Sequence, residues 1–161
     1  MVELRGVLPV AHIPYDENLA IDSNTLGRQI NYAFDTGADG VCLALASDLL
    51  RLTSDERKTL PQQLTEYAAC RGPVIINVSA ETAKEATDYA LAARDGGADA
   101  LMSTPPLSQA LEETDVLQYF ETILETAGLP LIVQDASGYL GEPMSLDFQA
   151  GLLERFGDRV L

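Results

Sequence analysis

Polar side chains stand where several apolar runs of the sequence end, and they are the first candidates for chemistry. His12 lies at the carboxyl end of the first run, Asp48 follows the second, and Gln134 and Asp135 follow the fifth. An imidazole or a carboxylate could move protons there, whereas the amide of Gln134 can hydrogen-bond but carries no titratable proton. Function concentrates on loops held by a rigid scaffold, so these positions define the predicted site.

Each candidate also has a structural interpretation, and the residues alone leave both open. His12 could be a hydrogen-bonded structural histidine, and Asp48 could stabilise its loop or the start of the next helix. Ser103 and Thr104 end the fourth run, where a turn role competes with a chemical one. Tyr139 could close over a ligand or simply pack.

The residue inventory argues against a metal site or a nucleotide site. The sequence has one histidine, and Cys42 and Cys70 lack the spacing of metal ligands, so both thiols are interpreted as packing residues. The turn after the first run, 14–16, is not the glycine-rich turn that binds phosphate. We therefore expect neither a metal nor any other cofactor.

The stretch 36–57 shows how the elements that position these residues alternate. Gly37 is suited to the left-handed conformation that ends a helix, and the continuous apolar run 41–46 is typical of a parallel strand covered on both faces. Thr53 and Glu56 then form a capping box, which predicts the start of the next helix. The stretch therefore contains a helix end, a strand, a loop and a helix start.

The same alternation continues along the chain. The first strand is expected at 7–13, with its ladder of hydrogen bonds interrupted at a proline. Asp22, Ser79 and Ser145 are predicted to cap helices, and Gly128 is placed to end one.

A strand followed by a helix recurs about every 30 residues, and the joints T-G-A-D-G-V at 36–41 and G-G-A-D-A-L at 96–101 resemble each other. Such alternation predicts a parallel sheet, because each crossover places a helix on a sheet face. A doubly wound sheet and a (β/α)8 barrel both fit. The length of 161 residues favours the first, since a barrel typically needs about 250.

Composition and charge limit the partners. The chain is 47% hydrophobic, which is enough for one domain with a real core. Its formal charge of −15, from 25 acidic and 10 basic residues, repels phosphate backbones and anionic membrane surfaces. Neither a membrane-spanning run nor a signal-peptide pattern is present. We expect a cytoplasmic protein that binds no nucleic acid and no membrane.

Five segments carry a family resemblance: 6–15, A-D-G-V with L-T-S-D-E-R in 38–57, P-V-I-I-N-V at 73–78, G-A-D-A-L-M-S-T-P-P at 97–106 and L-P-L-I-V-Q-D at 129–135. In order and spacing they resemble the dihydrodipicolinate synthase and N-acetylneuraminate lyase family. The resemblance implies an α/β fold, the (β/α)8 TIM barrel. Residues 1–161 would form one domain, the N-terminal portion of that barrel, with about the first five βα units and the start of strand six.

The resemblance also implies a reaction and an assembly. Family members form a Schiff base between pyruvate or another 2-oxo acid and a lysine on strand six, and then catalyse aldol cleavage, condensation or dehydration. Many members are tetramers, so a homo-oligomer, dimer or tetramer, is expected.

The loop that holds the substrate carboxylate in the family differs here. The family usually has G-T-T-G-E, whereas this chain has A-L-A-S-D at 44–48, and both threonine hydroxyls are gone. Backbone amides around Ala46 and Ser47 could still bind a carboxylate, because they do not depend on side-chain identity. Asp48 beside them is a further candidate for substrate binding.

The residues after strand five differ as well. The family's proton-relay tyrosine corresponds to Gln134, and Asp135 follows it as a substrate-binding candidate. Tyr139 stands where some members have an arginine for a substrate carboxylate. The aromatic pair expected after T-P is Pro106 and Leu107, so the relay from a neighbouring subunit is also missing.

The Schiff-base lysine has no counterpart in the chain. Lys58 and Lys84 are its only lysines, and both fall in predicted helices rather than in a desolvated pocket that would lower an amine pKa. The end of the sequence at 159–161 is expected to lie a residue or two before the family's lysine. The chain as given is therefore expected to form no imine and to be part of a longer barrel.

Two functions remain. The first is a lyase or aldolase that acts on a small, pyruvate-like 2-oxo acid through a lysine beyond residue 161, and that is not dihydrodipicolinate synthase itself. The second is a catalytically inactive family member that serves as a ligand-binding or assembly subunit.

Overall fold

Helices and parallel strands alternate throughout this computed structural model, which describes residues 4–108, 110–138 and 143–161. The helices are α1 (Ser23–Asp35), α2 (Ser54–Ala68), α3 (Ala83–Asp95), α4 (Glu113–Ala127) and α5 (Leu146–Phe156). The strands are β1 (Val41–Leu43), β2 (Val74–Asn77), β3 (Ala100–Ser103) and β4 (Leu131–Val133). Short 3-10 turns occupy Leu45–Ser47, Leu49–Arg51 and Gly157–Arg159.

Local sequence signals set most helix ends. Asp22 caps α1 by accepting a hydrogen bond from the amide of Thr25 at 3.0 Å. Thr53 and Glu56 form the predicted capping box at α2: Glu56 Oε2 accepts from the Thr53 amide at 2.7 Å, and Thr53 Oγ1 accepts from the Glu56 amide at 3.3 Å. Gly128 ends α4 with a φ of 68°. These predictions are confirmed, as is the cap at Ser145.

The predicted cap of α3 is wrong. Thr82 caps that helix, and its hydroxyl accepts from the amide of Glu85 at 3.2 Å. The hydroxyl of Ser79 instead accepts a hydrogen bond from the backbone amide of Thr104 at 2.8 Å. Ser79 therefore ties the end of β2 to the end of β3 and leaves the capping role to the next suitable side chain.

The strands lie in the order in which they occur in the sequence, β1-β2-β3-β4, and all pairs are parallel. Two further segments extend the sheet in the same order. Val10 bridges Cys42 at the β1 edge, and Val160 bridges Leu131 at the β4 edge. The segment at 7–13 makes only this bridge and does not form a regular strand, because Pro9 has no amide hydrogen to donate.

The two faces of the sheet differ in what covers them. The outer face packs against the helices through alternate strand residues such as Val74, Ile76 and Leu101. The inner face carries the other set, and in the described part of the chain its buried cluster contains no helix residue. The buried members of that inner cluster are Cys42, Ala44, Ile75 and Ala100.

Sequential strand order and helices on one face define a curved, barrel-type sheet. A doubly wound sheet would reverse its strand order at a switch point and carry helices on both faces. The architecture favoured by chain length alone is therefore wrong. The described residues form part of a TIM barrel, as the family resemblance implied.

The repeated G-A-D joints make the same contacts at two places. The amide of Asp39 donates to the carbonyl of Val7 at 2.8 Å, and its carboxylate accepts from the Val7 amide at 2.7 Å. Asp99 does the same to Val74, at 3.0 Å and 2.9 Å. Each aspartate therefore aligns the start of one strand with the strand before it.

Among the helices described, none is long and apolar enough to cross a membrane.

Candidate functional site

Loops at the carboxyl ends of the strands meet at one rim of the sheet, where barrel enzymes place their chemistry. The structure brings together most of the predicted site residues at this rim. They stand on the loops after β1, β3 and β4, and residues after β2 hold those loops in place.

Ser47 is buried within the turn after β1. Its hydroxyl accepts from the amide of Ala44 at 3.1 Å, and its own amide donates to the carbonyl of Ala44 at 2.9 Å. The Ser47 amide is therefore already used, and only its hydroxyl hydrogen remains to be donated. Ala46 is exposed beside it on the loop surface.

Asp48 is held by its neighbours on the same loop. It adopts a left-handed conformation with a φ of 60°, and its carboxylate lies 3.3 Å from the Arg51 guanidinium. Both side chains are largely exposed, with 49% of the Asp48 side chain accessible. This geometry agrees with the loop-stabilising interpretation.

Gln134 extends the β4 ladder by one residue, because its amide donates to the carbonyl of Ser103 at 2.9 Å. The residue is half-buried. Its side-chain Oε1 is buried, and within the described ranges it has no hydrogen-bond partner.

Asp135 shapes its own loop. Its Oδ1 accepts from the amide of Ser137 at 2.8 Å. Hydrogen bonds from the Ser137 side chain and backbone lower the pKa of Asp135, and the carboxylate is exposed. Asp135 therefore stays ionised and points toward solvent at a turn. Tyr139, the last predicted binding residue, lies outside the described residues.

Ser103 joins a buried hydrogen-bond network through its side chain and Thr104 joins it through its backbone, whereas Thr104 Oγ1 is buried without a partner among the described residues. Ser103 Oγ donates to the carbonyl of Thr104 at 3.0 Å and lies 3.3 Å from the Tyr119 hydroxyl. Burial raises the pKa of Tyr119, whose hydroxyl accepts from the Ala80 amide at 3.0 Å. The network ties α4 to the loops after β2 and β3.

Glu81 makes a contact that sequence reasoning missed. Its two carboxylate oxygens each accept a hydrogen bond at 3.0 Å from consecutive amides, those of Leu107 and Ser108. Burial alone would raise the pKa of Glu81, but a hydrogen bond from the Ser108 side chain, together with those from the two amides, lowers it on balance. No local pattern reveals this contact, because the partners are 26 and 27 residues away.

Arg57 is a second missed residue, and it carries its charge at a buried position, with 8% of the residue exposed. Its guanidinium carbon lies 3.8 Å from the centroid of the Tyr89 ring, and burial lowers the pKa of Arg57. The Tyr89 hydroxyl donates to Glu85 at 2.6 Å. These three residues line a cavity of about 230 Å³ between α2 and α3 at the rim.

His12 is exposed, and its backbone is fixed by a single side chain. The amide of His12 donates to Gln29 Oε1 at 2.7 Å, and Gln29 Nε2 donates to the carbonyl of His12 at 3.2 Å. The loop after the first segment is therefore positioned by α1, and the imidazole is left at the surface.

The lysines lie away from the rim interior. Lys58 is exposed on α2, and Lys84 pairs with Asp88 at 3.0 Å on the exposed face of α3. Burial raises the pKa of Cys42 to about 11, so its thiol stays protonated on the inner face. Within residues 4–108, 110–138 and 143–161, no group of three histidine, cysteine or acidic side chains could hold a metal ion.

Comparison with known proteins agrees with this geometry. The model of the dihydrodipicolinate synthetase family matches residues 3–154. The L-2-keto-3-deoxyarabonate dehydratase of Azospirillum brasilense is 29% identical over 150 residues, which are 91% of this chain and 48% of that protein. A 4-hydroxy-tetrahydrodipicolinate synthase of Bartonella bacilliformis is 25% identical over 154 residues, 95% of this chain and 52% of that protein.

Solved structures share the fold. The dihydrodipicolinate synthase of Aquifex aeolicus superposes with a TM-score of 0.89 at 21% identity over 94% of this chain and 52% of that one. The N-acetylneuraminate lyase of Fusobacterium nucleatum gives 0.86 at 22% identity over 92% and 52%. The chain spans about half the length of the curated relatives it matches. A family match over most of the sequence, together with the sequential parallel sheet, establishes that the chain belongs to the dihydrodipicolinate synthetase family.

Proposed function

We propose that this chain is the N-terminal half of a lyase of the class I aldolase type that acts on a small, pyruvate-like 2-oxo acid. The family match is the observation that carries the proposal. The Schiff base would form on a lysine of the strand that begins at Val160, in the longer protein. A specific role in lysine biosynthesis is not proposed, because the family resemblance places Gln134 at the position of the proton-relay tyrosine.

The loop after β1 would hold the substrate carboxylate. Ser47 can donate its hydroxyl hydrogen, and the backbone around Ala46 lies at the exposed surface of the same turn. Asp48, Asp135 and Tyr139 would border the second part of the substrate. Gln134 would orient that part by hydrogen bonding, since an amide cannot act as a proton relay.

Trapping of the imine tests the proposal. The full-length protein is incubated with pyruvate and sodium borohydride, and the intact mass is measured. One reduced adduct per chain, mapped to a lysine after residue 161, is the expected result. The 161-residue chain is the control and should give no stoichiometric adduct, because Lys58 is exposed and Lys84 is paired with Asp88. Absence of an adduct on the full-length protein would contradict the lyase proposal.

A catalytically inactive ligand-binding or assembly subunit is the second candidate. Two differences from the family pattern favour it. Leu45 and Ala46 stand where the family has hydroxyl side chains, and Gln134 stands where it has a tyrosine. Binding of a 2-oxo acid without an adduct on the full-length protein would support this candidate over the first.

A cytoplasmic homo-oligomer, dimer or tetramer, remains part of the proposal. Exposed apolar side chains at the two edges of the sheet support association: Val7 is 64% exposed at one edge and Leu161 is 42% exposed at the other. Unpaired strand edges are a known route to assembly. Light scattering on the 161-residue chain should show a mass above that of a monomer, and a clean monomer would contradict this part.

A further inference from the structure

The segment 7–13 hydrogen-bonds to β1 through alternate residues. The carbonyl of Pro9 accepts from the amide of Cys42 at 3.0 Å, and the amide of Ala11 donates to the carbonyl of Cys42 at 2.9 Å. In an extended segment the backbone groups of successive residues point to opposite sides. The amides and carbonyls at positions 8, 10 and 12 therefore point away from β1, toward the open edge of the sheet.

Gln29 occupies one end of this open edge. Its Oε1 accepts from the amide of His12 at 2.7 Å, and its Nε2 donates to the carbonyl of His12 at 3.2 Å. A carboxamide offers an acceptor and a donor, as a peptide group does, so Gln29 satisfies His12 as a neighbouring strand would. The amides and carbonyls of Leu8 and Val10 have no hydrogen-bond partner in the part of the chain that the structure describes. These two residues of the edge remain free to pair.

Beside the edge, a groove of about 420 Å³ lies between the segment 7–13 and α1. None of the described residues that line it is an aspartate, glutamate, lysine or arginine, although the chain has 25 acidic and 10 basic residues. Val7 and Tyr32 at its border are 64% and 70% exposed. An uncharged, apolar groove next to unpaired backbone groups marks a surface for association. Its hydrophobic lining includes Val7, Pro9, Ala11, Ile30, Tyr32 and Ala33.

The occupant of this surface must match both the edge and the groove. Each strand of the sheet is parallel to its neighbours and is followed by a helix, and the helices pack on the outer face. One further unit of this kind would add its strand to the free edge, and its helix would cover the groove beside α1. The chain spans about half the length of the curated relatives it matches, so the second half of a longer protein is long enough to supply that unit.

We propose that Gln29 sets the register at this edge: a strand from the second half of the longer protein bonds to Leu8 and Val10 and ends where the Gln29 carboxamide takes its place at His12. A strand that continued past Val10 would have to displace Gln29 from both backbone groups of His12. This inference rests on the longer protein of the proposed function, and it concerns the assembly of the sheet alone.

Amide hydrogen exchange tests the inference. It is measured residue by residue, by mass spectrometry with fragmentation of the peptides, on the 161-residue chain and on the full-length protein. In the 161-residue chain at low concentration, we expect Leu8 and Val10 to exchange freely and His12 to be protected. In the full-length protein, we expect Leu8 and Val10 to exchange at least about a hundredfold more slowly at every protein concentration, because the strand belongs to the same molecule.

Variants at Gln29 test the register. In the full-length protein, Gln29→Leu should speed exchange of the His12 amide by about tenfold or more and leave Leu8 and Val10 protected, because the docked strand ends before His12. Gln29→Glu keeps the acceptor and should keep His12 protected. Arg28→Leu, the control on the same helix, should change none of the three amides. Thermal unfolding checks that each variant folds, and the comparison of the two unmodified proteins does not depend on any variant.

Three results would overturn the inference: free exchange of Leu8 and Val10 in the full-length protein, protection of these amides that is lost on dilution, or a His12 amide that stays protected in folded Gln29→Leu. Loss on dilution would identify a second copy of the chain as the occupant. An imine adduct without protection of Leu8 and Val10 would leave the proposed lyase function standing and remove the pairing at this edge. Protection without an adduct would do the reverse.

Discussion

Asp39 and Asp99 make the same pair of hydrogen bonds, 60 residues apart in the sequence. Each donates its amide to a carbonyl at the start of the preceding strand segment and accepts the amide of that same residue on its carboxylate. The two sites differ in burial, since the Val74 contact is partly buried and the Val7 contact is exposed. The repeated joint therefore provides a matched comparison within one chain.

Asp99→Ala should lower the free energy of unfolding by about 1–2 kcal/mol, because the partly buried amide of Val74 loses its acceptor. Asp39→Ala should cost less than about 1 kcal/mol, since water can replace the carboxylate at the exposed amide of Val7. Urea unfolding followed by circular dichroism measures both. The Asp99→Asn variant keeps an acceptor oxygen and is the control. An equal cost at both sites would contradict the role assigned to burial.

Gln29 should contribute to stability by fixing the backbone of His12. Gln29→Leu removes both hydrogen bonds and should cost about 1–2 kcal/mol. Gln29→Glu keeps the acceptor for the His12 amide and loses the donor to its carbonyl, so an intermediate cost is expected. Arg28→Leu, one residue earlier on α1, is a control that leaves the His12 contacts in place. Equal stability of Gln29→Leu and the unmodified chain would show that the contact is not formed.

The two thiols should differ strongly in reactivity. Cys70 is exposed, so its interpretation as a packing residue is wrong, whereas burial on the inner face raises the pKa of Cys42 to about 11. At pH 8 a disulfide reagent should therefore modify Cys70 quickly in the folded chain and Cys42 only on unfolding. Cys70→Ser should abolish the fast reaction, and Cys42→Ser should leave it unchanged. Fast modification of both thiols in the native chain would contradict the burial of Cys42.

Glu81 should make stability depend on pH. Hydrogen bonds from the Ser108 side chain and from the amides of Leu107 and Ser108 outweigh the effect of burial, so the pKa of this carboxyl is lower in the folded chain than in the unfolded chain. The stabilisation is therefore fully present above the ordinary glutamate pKa and is lost as the pH falls through the lower, folded-state value. Glu81→Gln should show a smaller loss of stability over that acidic range. Parallel curves for the variant and the unmodified chain would exclude this contribution.

The sequence predicted those elements whose signals are local. Asp22, the Thr53–Glu56 box and Gly128 mark helix ends because each acts on backbone groups within four residues. The prediction that Ser79 caps α3 is wrong for a physical reason: its hydroxyl accepts a hydrogen bond from the amide of Thr104, 25 residues later. Propensity carries no information on such a competing long-range partner.

The barrel could not be separated from a doubly wound sheet by pattern, because both alternate strands and helices in the same way. The family resemblance made the choice, and the sequential strand order confirmed it. Within the site, the sequence predicted which loops form the rim, but it did not predict which hydrogen bonds each side chain makes there. The hydrogen bond from the Ser47 amide to Ala44 and the two hydrogen bonds that Glu81 accepts depend on the folded geometry of the loops. The spacing of residues in the sequence does not predict them.

Side chains along β2 and its neighbouring strands point alternately to the outer and the inner face of the sheet. Natural selection for stability and for binding therefore acts on different residues of the same strand. Substitutions at Val74 and Ile76 act on the packing of the helices, whereas a substitution at Ile75 acts on the inner face of the sheet. A lineage can therefore alter what it binds through every second residue of a strand while the residues between preserve its ability to fold. Divergence of specificity at nearly constant architecture is the evolutionary outcome that this arrangement favours.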